Sequence, residues 1–132
     1  MTGLDTNVLV RYLTQDDPKQ SPLATDFIET TLSAESPGYV NQVVLCELIW
    51  VLEECYQQSR EDISRVLNQL LQVVEIHLED GDTVRLAMAD FRDGKADFSD
   101  HLLARRNLAN GCLTTYTFDK KAATSPGFTL LT

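Results

Sequence analysis

The sequence is short of the features that would make it disulfide-stapled, zinc-structured or membrane-spanning. Cysteine is scarce, and Cys46, Cys55 and Cys112 form no CxxC pair and no His/Cys cluster. That excludes a disulfide framework and a thiolate zinc site and leaves reduced thiols. Long apolar runs are missing too: Val43–Leu45 and Leu48–Leu52 fall far short of the roughly 20 residues that span a bilayer, and no basic-then-apolar leader opens the chain. A cytoplasmic location is therefore expected. The two histidines, His77 and His101, lack a spacing suited to metal binding or acid–base work, and no repeat, low-complexity tract or linker is visible. Positive charge is also in short supply. Eleven Lys and Arg face 20 Asp and Glu, a formal net charge of −9, so any role in binding a polyanion has to overcome a missing basic footprint.

What is present is a chain of 132 residues with 43% hydrophobic content, which fits one domain over residues 1–132. Met1–Leu4 reads as a strand, followed by a turn at Asp5-Thr6-Asn7 and a helix through Val8, Leu9, Tyr12 and Leu13. Ser21 opens a second helical pattern that runs to Leu32, and Pro37-Gly38 breaks it before a short strand at Tyr39-Val40. Asn41 is placed to cap a long helix over Gln42–Gln58, and Ser59-Arg60-Glu61-Asp62 has the form of a capping box for the next. Beyond these, strands are expected at Val73–Ile76, Cys112–Thr115 and Phe128–Leu131, with helices around Thr83–Phe91 and from about Asp97 to a C′ glycine at Gly111. Such alternation argues for an α/β fold: a mostly parallel central sheet with helices on both faces, and a binding crevice outside the carboxyl ends of the strands.

Acidic residues occupy the positions from which that crevice would be built. Asp5 follows the first strand and Asp119 the strand at Cys112–Thr115, so a parallel sheet carries both to one edge. Each also reads locally, Asp5 as a helix cap and Asp119 as a turn residue. Glu47 has Val43, Val44, Trp50 and Val51 three and four residues away, which places it on an apolar helix face. A buried carboxylate there needs a cation, a hydrogen-bond donor or a raised pKa, unless it bends out to solvent or pairs with an arginine. Asp97 and Asp100, three apart at a helix start, share a face near the positive end of the helix dipole; Asp97 suits the N-cap, and Asp100 points inward beside Leu103 and Ala104. Four clustered carboxylates require hard cations, and an oxygen-only donor set favours magnesium or manganese over zinc. Two such ions would activate a water and steady a leaving oxygen in a phosphodiester. Asn7, Thr115 and Thr117 stand near the acids and could orient a carboxylate or a water; local turn bonding accounts for them equally well.

Four blocks in order then resemble a known pattern: Gly3-Leu4-Asp5-Thr6-Asn7-Val8-Leu9-Val10-Arg11, Cys46-Glu47-Leu48-Ile49-Trp50-Val51-Leu52, Ala96-Asp97-Phe98-Ser99-Asp100-His101-Leu102-Leu103 and Thr115-Tyr116-Thr117-Phe118-Asp119-Lys120-Lys121. Together they resemble a PIN domain, specifically the VapC-type toxins of bacterial type II toxin–antitoxin systems. The resemblance implies a five-stranded parallel sheet, a homodimer, a magnesium- or manganese-dependent endoribonuclease and a VapB-like antitoxin that blocks the site. It carries the acidic roles onto Asp5, Glu47, Asp100 and Asp119. His101-Leu102 departs from the small and apolar residues that relatives often have after the aspartate. An acidic toxin suits a basic antitoxin tail, and RNA would then rely on bound metal and on local positives such as Arg11, Lys95, Arg105, Lys120 and Lys121. Two other readings remain. One is a phosphotransfer domain with Asp5 as covalent acceptor, although Asp5-Thr6-Asn7 lacks the second aspartate of the haloacid-dehalogenase pattern. The other is a non-catalytic PIN-like binding module acting through an antitoxin complex.

Overall fold

Side-chain acceptors placed just ahead of backbone donors start most of the helices in the computed structural model, which describes residues 1–132. The first strand, β1 (Thr2–Gly3), leads to Asp5, whose carboxylate accepts the Thr6 N–H at 2.8 Å and opens α1 (Thr6–Thr14). Then come α2 (Gln20–Asp26), which passes at Phe27 into a π-helical stretch to Thr31, and β2 (Gly38–Val40). Asn41 caps α3 (Gln42–Tyr56) through the Val44 N–H at 2.9 Å. Ser59 and Asp62 form the expected capping box, each side chain accepting the other's backbone N–H at 3.1 Å, and start α4 (Arg60–Gln72). The order closes with β3 (Ile76–Leu78), α5 (Gly81–Asp93), α6 (Phe98–Ala109), β4 (Thr115–Thr117) and β5 (Phe128–Leu130). Gly111, at φ +90°, takes the left-handed conformation expected of it after α6.

Two compact units divide the chain, Met1–Glu79 and Asp80–Thr132. In the first, β1, β2 and β3 form a parallel sheet in that order, with Thr2 opposite Gly38 and Gly38 opposite Ile76. The helices α1 and α2 lie in the β1-to-β2 connection, α3 and α4 in the β2-to-β3 connection, as parallel neighbours require. Its core holds Leu9, Ile28, Leu45, Leu48, Leu52, Ile63, Leu67 and Leu70, all fully buried; each such side chain contributes about 1.5–3 kcal/mol of burial. Gly38 sits where a Cβ would come within 2.6 Å of a Leu4 methyl and 2.8 Å of a Leu32 methyl, so a side chain there would have to displace both leucines.

In the second unit β4 and β5 pair in parallel, Thr115 opposite Phe128, and Phe91, Phe98 and Leu102 pack between α5 and α6, the two phenyl rings edge to face at 5.9 Å. The fold is α/β and every strand pairing is parallel, as expected, but the strands are hydrogen-bonded as a sheet of three and a sheet of two rather than as one sheet of five. Two strands lie later than their apolar runs suggested. Val73 to Glu75 is a turn, with the Val73 N–H still bonded to the Leu70 carbonyl, so the strand begins at Ile76. Cys112 bonds back to Asn107 at the end of α6, and the strand begins at Thr115.

Candidate active site

In the first unit Asp5 lies two residues beyond the end of β1 and is exposed. One carboxylate oxygen caps α1 while the other makes no hydrogen bond within the chain, so capping and ligation are compatible. Glu47 is exposed as well, which corrects the buried-carboxylate argument. The core face of α3 is Leu45, Leu48, Ile49 and Leu52; Glu47 shares the outer face with Val43 and Trp50, which are 74% and 59% exposed. Its position needs no buried compensation and leaves the carboxylate open to an external ligand. No hydrogen bond links Asp5 to Glu47.

An acid that sequence reasoning passed over braces α3. Glu79, immediately past β3, accepts the Gln42 N–H at 2.8 Å on its carboxylate and the Gln42 amide at 3.1 Å on its carbonyl, while its own N–H bonds Val40 at 2.9 Å. It places a negative charge at the helix N-terminus, where the macrodipole favours it. Its signal was an acid following a strand, as at Asp5 and Asp119, and the misplaced start of β3 hid it.

In the second unit Asp97 stands at the N-cap of α6 with its carboxylate making no capping bond. Asp100, in the first turn, is half-buried, and its carboxyl pKa is raised: burial contributes most, then the negative charges of Asp97 and Asp119, against a backbone hydrogen bond from Asp97 and the neighbouring His101. Asp119 lies two residues past β4; one oxygen accepts the N–H groups of Lys121 (2.9 Å) and Ala122 (3.4 Å), and its own N–H donates to the Thr117 hydroxyl at 3.0 Å. Thr115 accepts from the Asn107 amide at 2.8 Å, tying β4 to α6. Asp100 thus feels the charges of both Asp97 and Asp119, and Thr115 and Thr117 fix the segment that carries Asp119. His101 is fully buried, edge-on to Phe91 at 6.2 Å, so the unusual residue after Asp100 is a packing element beneath the helix.

The donor chemistry fits a hard divalent cation: the set is all oxygen, and burial together with the charges of Asp97 and Asp119 disfavours an ionised Asp100 that a cation would stabilise. The fit is one of chemistry and not of finished coordination, since within neither unit do three His, Cys, Asp or Glu side chains form a group arranged to hold a metal ion. Of the basic residues, Arg105 is engaged by Asp90 through two bonds of 2.6 and 2.8 Å, and Arg11 by Asp16 and Gln20. Lys95, Lys120 and Lys121 are exposed and make no ion pair.

Parallel strands followed by acids, with further acids at a helix start, define an α/β protein that carries the oxygen donors hard cations take. Comparison of the sequence with known families narrows the class. A profile of the PIN domain matches residues 4–124, and the chain belongs to that family. It is also similar to a VapC ribonuclease from Aquifex aeolicus (strain VF5), 29% identical over 102 residues that cover 77% of this chain and 75% of the relative.

Proposed function

We propose that this chain is a cytoplasmic, metal-dependent endoribonuclease, the toxin of a bacterial toxin–antitoxin pair, hydrolysing phosphodiester bonds in RNA. The observation that carries the reading is Asp100 at the start of α6, half-buried with its carboxyl pKa raised first by burial and then by the charges of Asp97 and Asp119, in a chain of the PIN family. The similarity to a VapC ribonuclease supports the substrate, and the family match across the boundary of the two units supports one working domain over residues 1–132. No helix is long and apolar enough to cross a membrane.

In this reading Asp5, Glu47, Asp100 and Asp119 hold magnesium or manganese, which requires that the two acids of each unit act together in the working protein. The bound ion supplies Lewis acidity toward phosphate and water oxygens. Asp5 and Asp119 each bring one oxygen already fixed by backbone N–H groups, so only the other is left to turn toward a ligand. Asp100, whose carboxyl pKa burial and the charges of Asp97 and Asp119 raise, becomes easier to ionise once a cation offsets those charges. Asp97, Asn7, Thr115 and Thr117 orient the set. A VapB-like antitoxin with a basic segment would find an acidic surface here, consistent with the net charge of −9, and the similarity to a VapC ribonuclease supports a homodimer.

The test is cleavage of single-stranded RNA by purified protein. Cutting with magnesium or manganese, arrest by chelator and loss of cutting in Asp5→Asn establish the reading. Undiminished cutting by Asp5→Asn would assign the activity to a contaminant. Sequencing the RNA ends after brief expression without antitoxin names the target.

A further inference from the structure

The geometry points to a pocket for an unpaired RNA base in the cleft between α1 and α2. This inference rests on the ribonuclease reading for its ligand, and the pocket itself is a separate feature. The cleft has a volume of about 300 Å³; Asn7, Val8 and Arg11 line it from α1, and Gln20, Leu23 and Phe27 from α2 and the start of the π-helical stretch. That size lies at the lower end of small-ligand pockets. It has room for one flat ring system.

The lining has the chemistry by which single-stranded RNA is recognised: unstacked bases lie against aromatic rings or guanidinium planes while amides read their edges. Arg11 is fixed in place, its Nε donating to the Gln20 side-chain oxygen at 2.8 Å and its Nη1 to Asp16 at 3.3 Å. Asp16 is anchored in turn by the hydroxyls of Thr14 and Tyr56, both at 2.7 Å. A guanidinium already matched by a carboxylate offers a rigid planar face and little net charge, which suits a neutral heterocycle better than a phosphate. Phe27 is half-buried at the point where the α-helix passes into π geometry, an irregularity common at functional sites. The Asn7 amide makes no hydrogen bond within the chain and stands two residues after Asp5. The base in the cleft would therefore belong to a nucleotide near the scissile bond, and the cleft would set which sequences are cut.

Oligoribonucleotides with one abasic residue, scanned along the cleavage site, test the proposal against wild type, Phe27→Leu and Leu23→Glu. Leu23 is 71% exposed, so its replacement carries no folding load, and circular dichroism checks Phe27→Leu. At one position the abasic residue should cost wild type about five- to hundredfold in kcat/KM, carried by KM. Phe27→Leu should show a loss of similar size on intact RNA and no further sensitivity at that position, and Leu23→Glu should also raise KM. The same oligonucleotides are titrated onto cleavage-silent Asp119→Asn with and without Phe27→Leu. Cleavage by wild type that is indifferent to every abasic position, or RNA affinity untouched by Phe27→Leu and Leu23→Glu, overturns the pocket and assigns the cleft to another ligand, such as a protein side chain. Position-specific, Phe27-dependent binding without metal-dependent cleavage keeps the pocket and overturns the ribonuclease reading instead.

Discussion

Asp97 and Asp100 stand one helical turn apart at the start of α6, and Asp97, though at the N-cap, leaves the cap unmade while its charge helps raise the Asp100 carboxyl pKa. A folded chain with a raised carboxyl pKa holds that proton more tightly than the unfolded chain does. Its stability therefore falls as pH climbs from the ordinary carboxylate range through the raised value. Asp100→Asn removes the penalty, so in chelator at about pH 7 the variant should melt a few degrees above wild type, with the gap closing below about pH 3.5. Thermal melts across pH read this directly. A gap that is the same at both ends means that ionising the half-buried Asp100 beside Asp97 and Asp119 costs the fold nothing.

Cations should relieve the same penalty. Adding magnesium or manganese at about 100 times the dissociation constant should stabilise the protein by about 2.7 kcal/mol, more at neutral than at acid pH because protons compete for Asp100. Glu47→Gln should shrink this gain. Absence of any melting shift at millimolar metal counts against a cation site.

Activity should separate the acids by role. Asp100→Asn and Asp119→Asn should each lower kcat about hundredfold or more, whereas Asp97→Asn, which removes an orienting neighbour, should cost about tenfold. Equal losses at all three would make Asp97 a ligand. Single-turnover cleavage of one oligonucleotide gives the comparison.

Asp90 and Arg105 join α5 to α6 through a bidentate pair whose side chains are only 8% and 25% exposed. Removing one partner strands the other, so Asp90→Ala should destabilise by about 2–4 kcal/mol in denaturant unfolding. Arg105→Met should cost less, because it leaves a carboxylate that can protonate.

Local chemistry was legible in the sequence and tertiary chemistry was not. The caps at Asn41 and Ser59/Asp62, and the C′ glycine at Gly111, depend on neighbours within a few residues and were read correctly. The runs at Val73–Ile76 and Cys112–Thr115 mark where β structure occurs but carry no phase, since nothing in an apolar run says which residue first pairs. On α3 apolar residues surround the helix almost completely, so hydropathy could not tell the face of Leu45 and Leu48 from that of Val43 and Trp50, and Glu47 was placed on the wrong one. The Asp90–Arg105 and Glu79–Gln42 pairs join residues 15 and 37 apart, beyond any local pattern.

The Glu79–Gln42 contact offers a test of whether α3 serves the site or only the core. Glu79→Ala deletes the anion at the helix start and should cost about 1–2 kcal/mol, most of it recovered in Glu79→Gln, which keeps an acceptor. Ser59→Ala removes the cap of α4 at a similar cost. If Glu79 positions the helix that presents Glu47, Glu79→Ala should also lose part of the metal-dependent rise in melting temperature, as Glu47→Gln does, while Ser59→Ala keeps it in full. Matched losses of stability with the metal response intact in both variants would confine Glu79 to a structural role and leave the orientation of Glu47 to the packing of Leu45 and Leu48 alone.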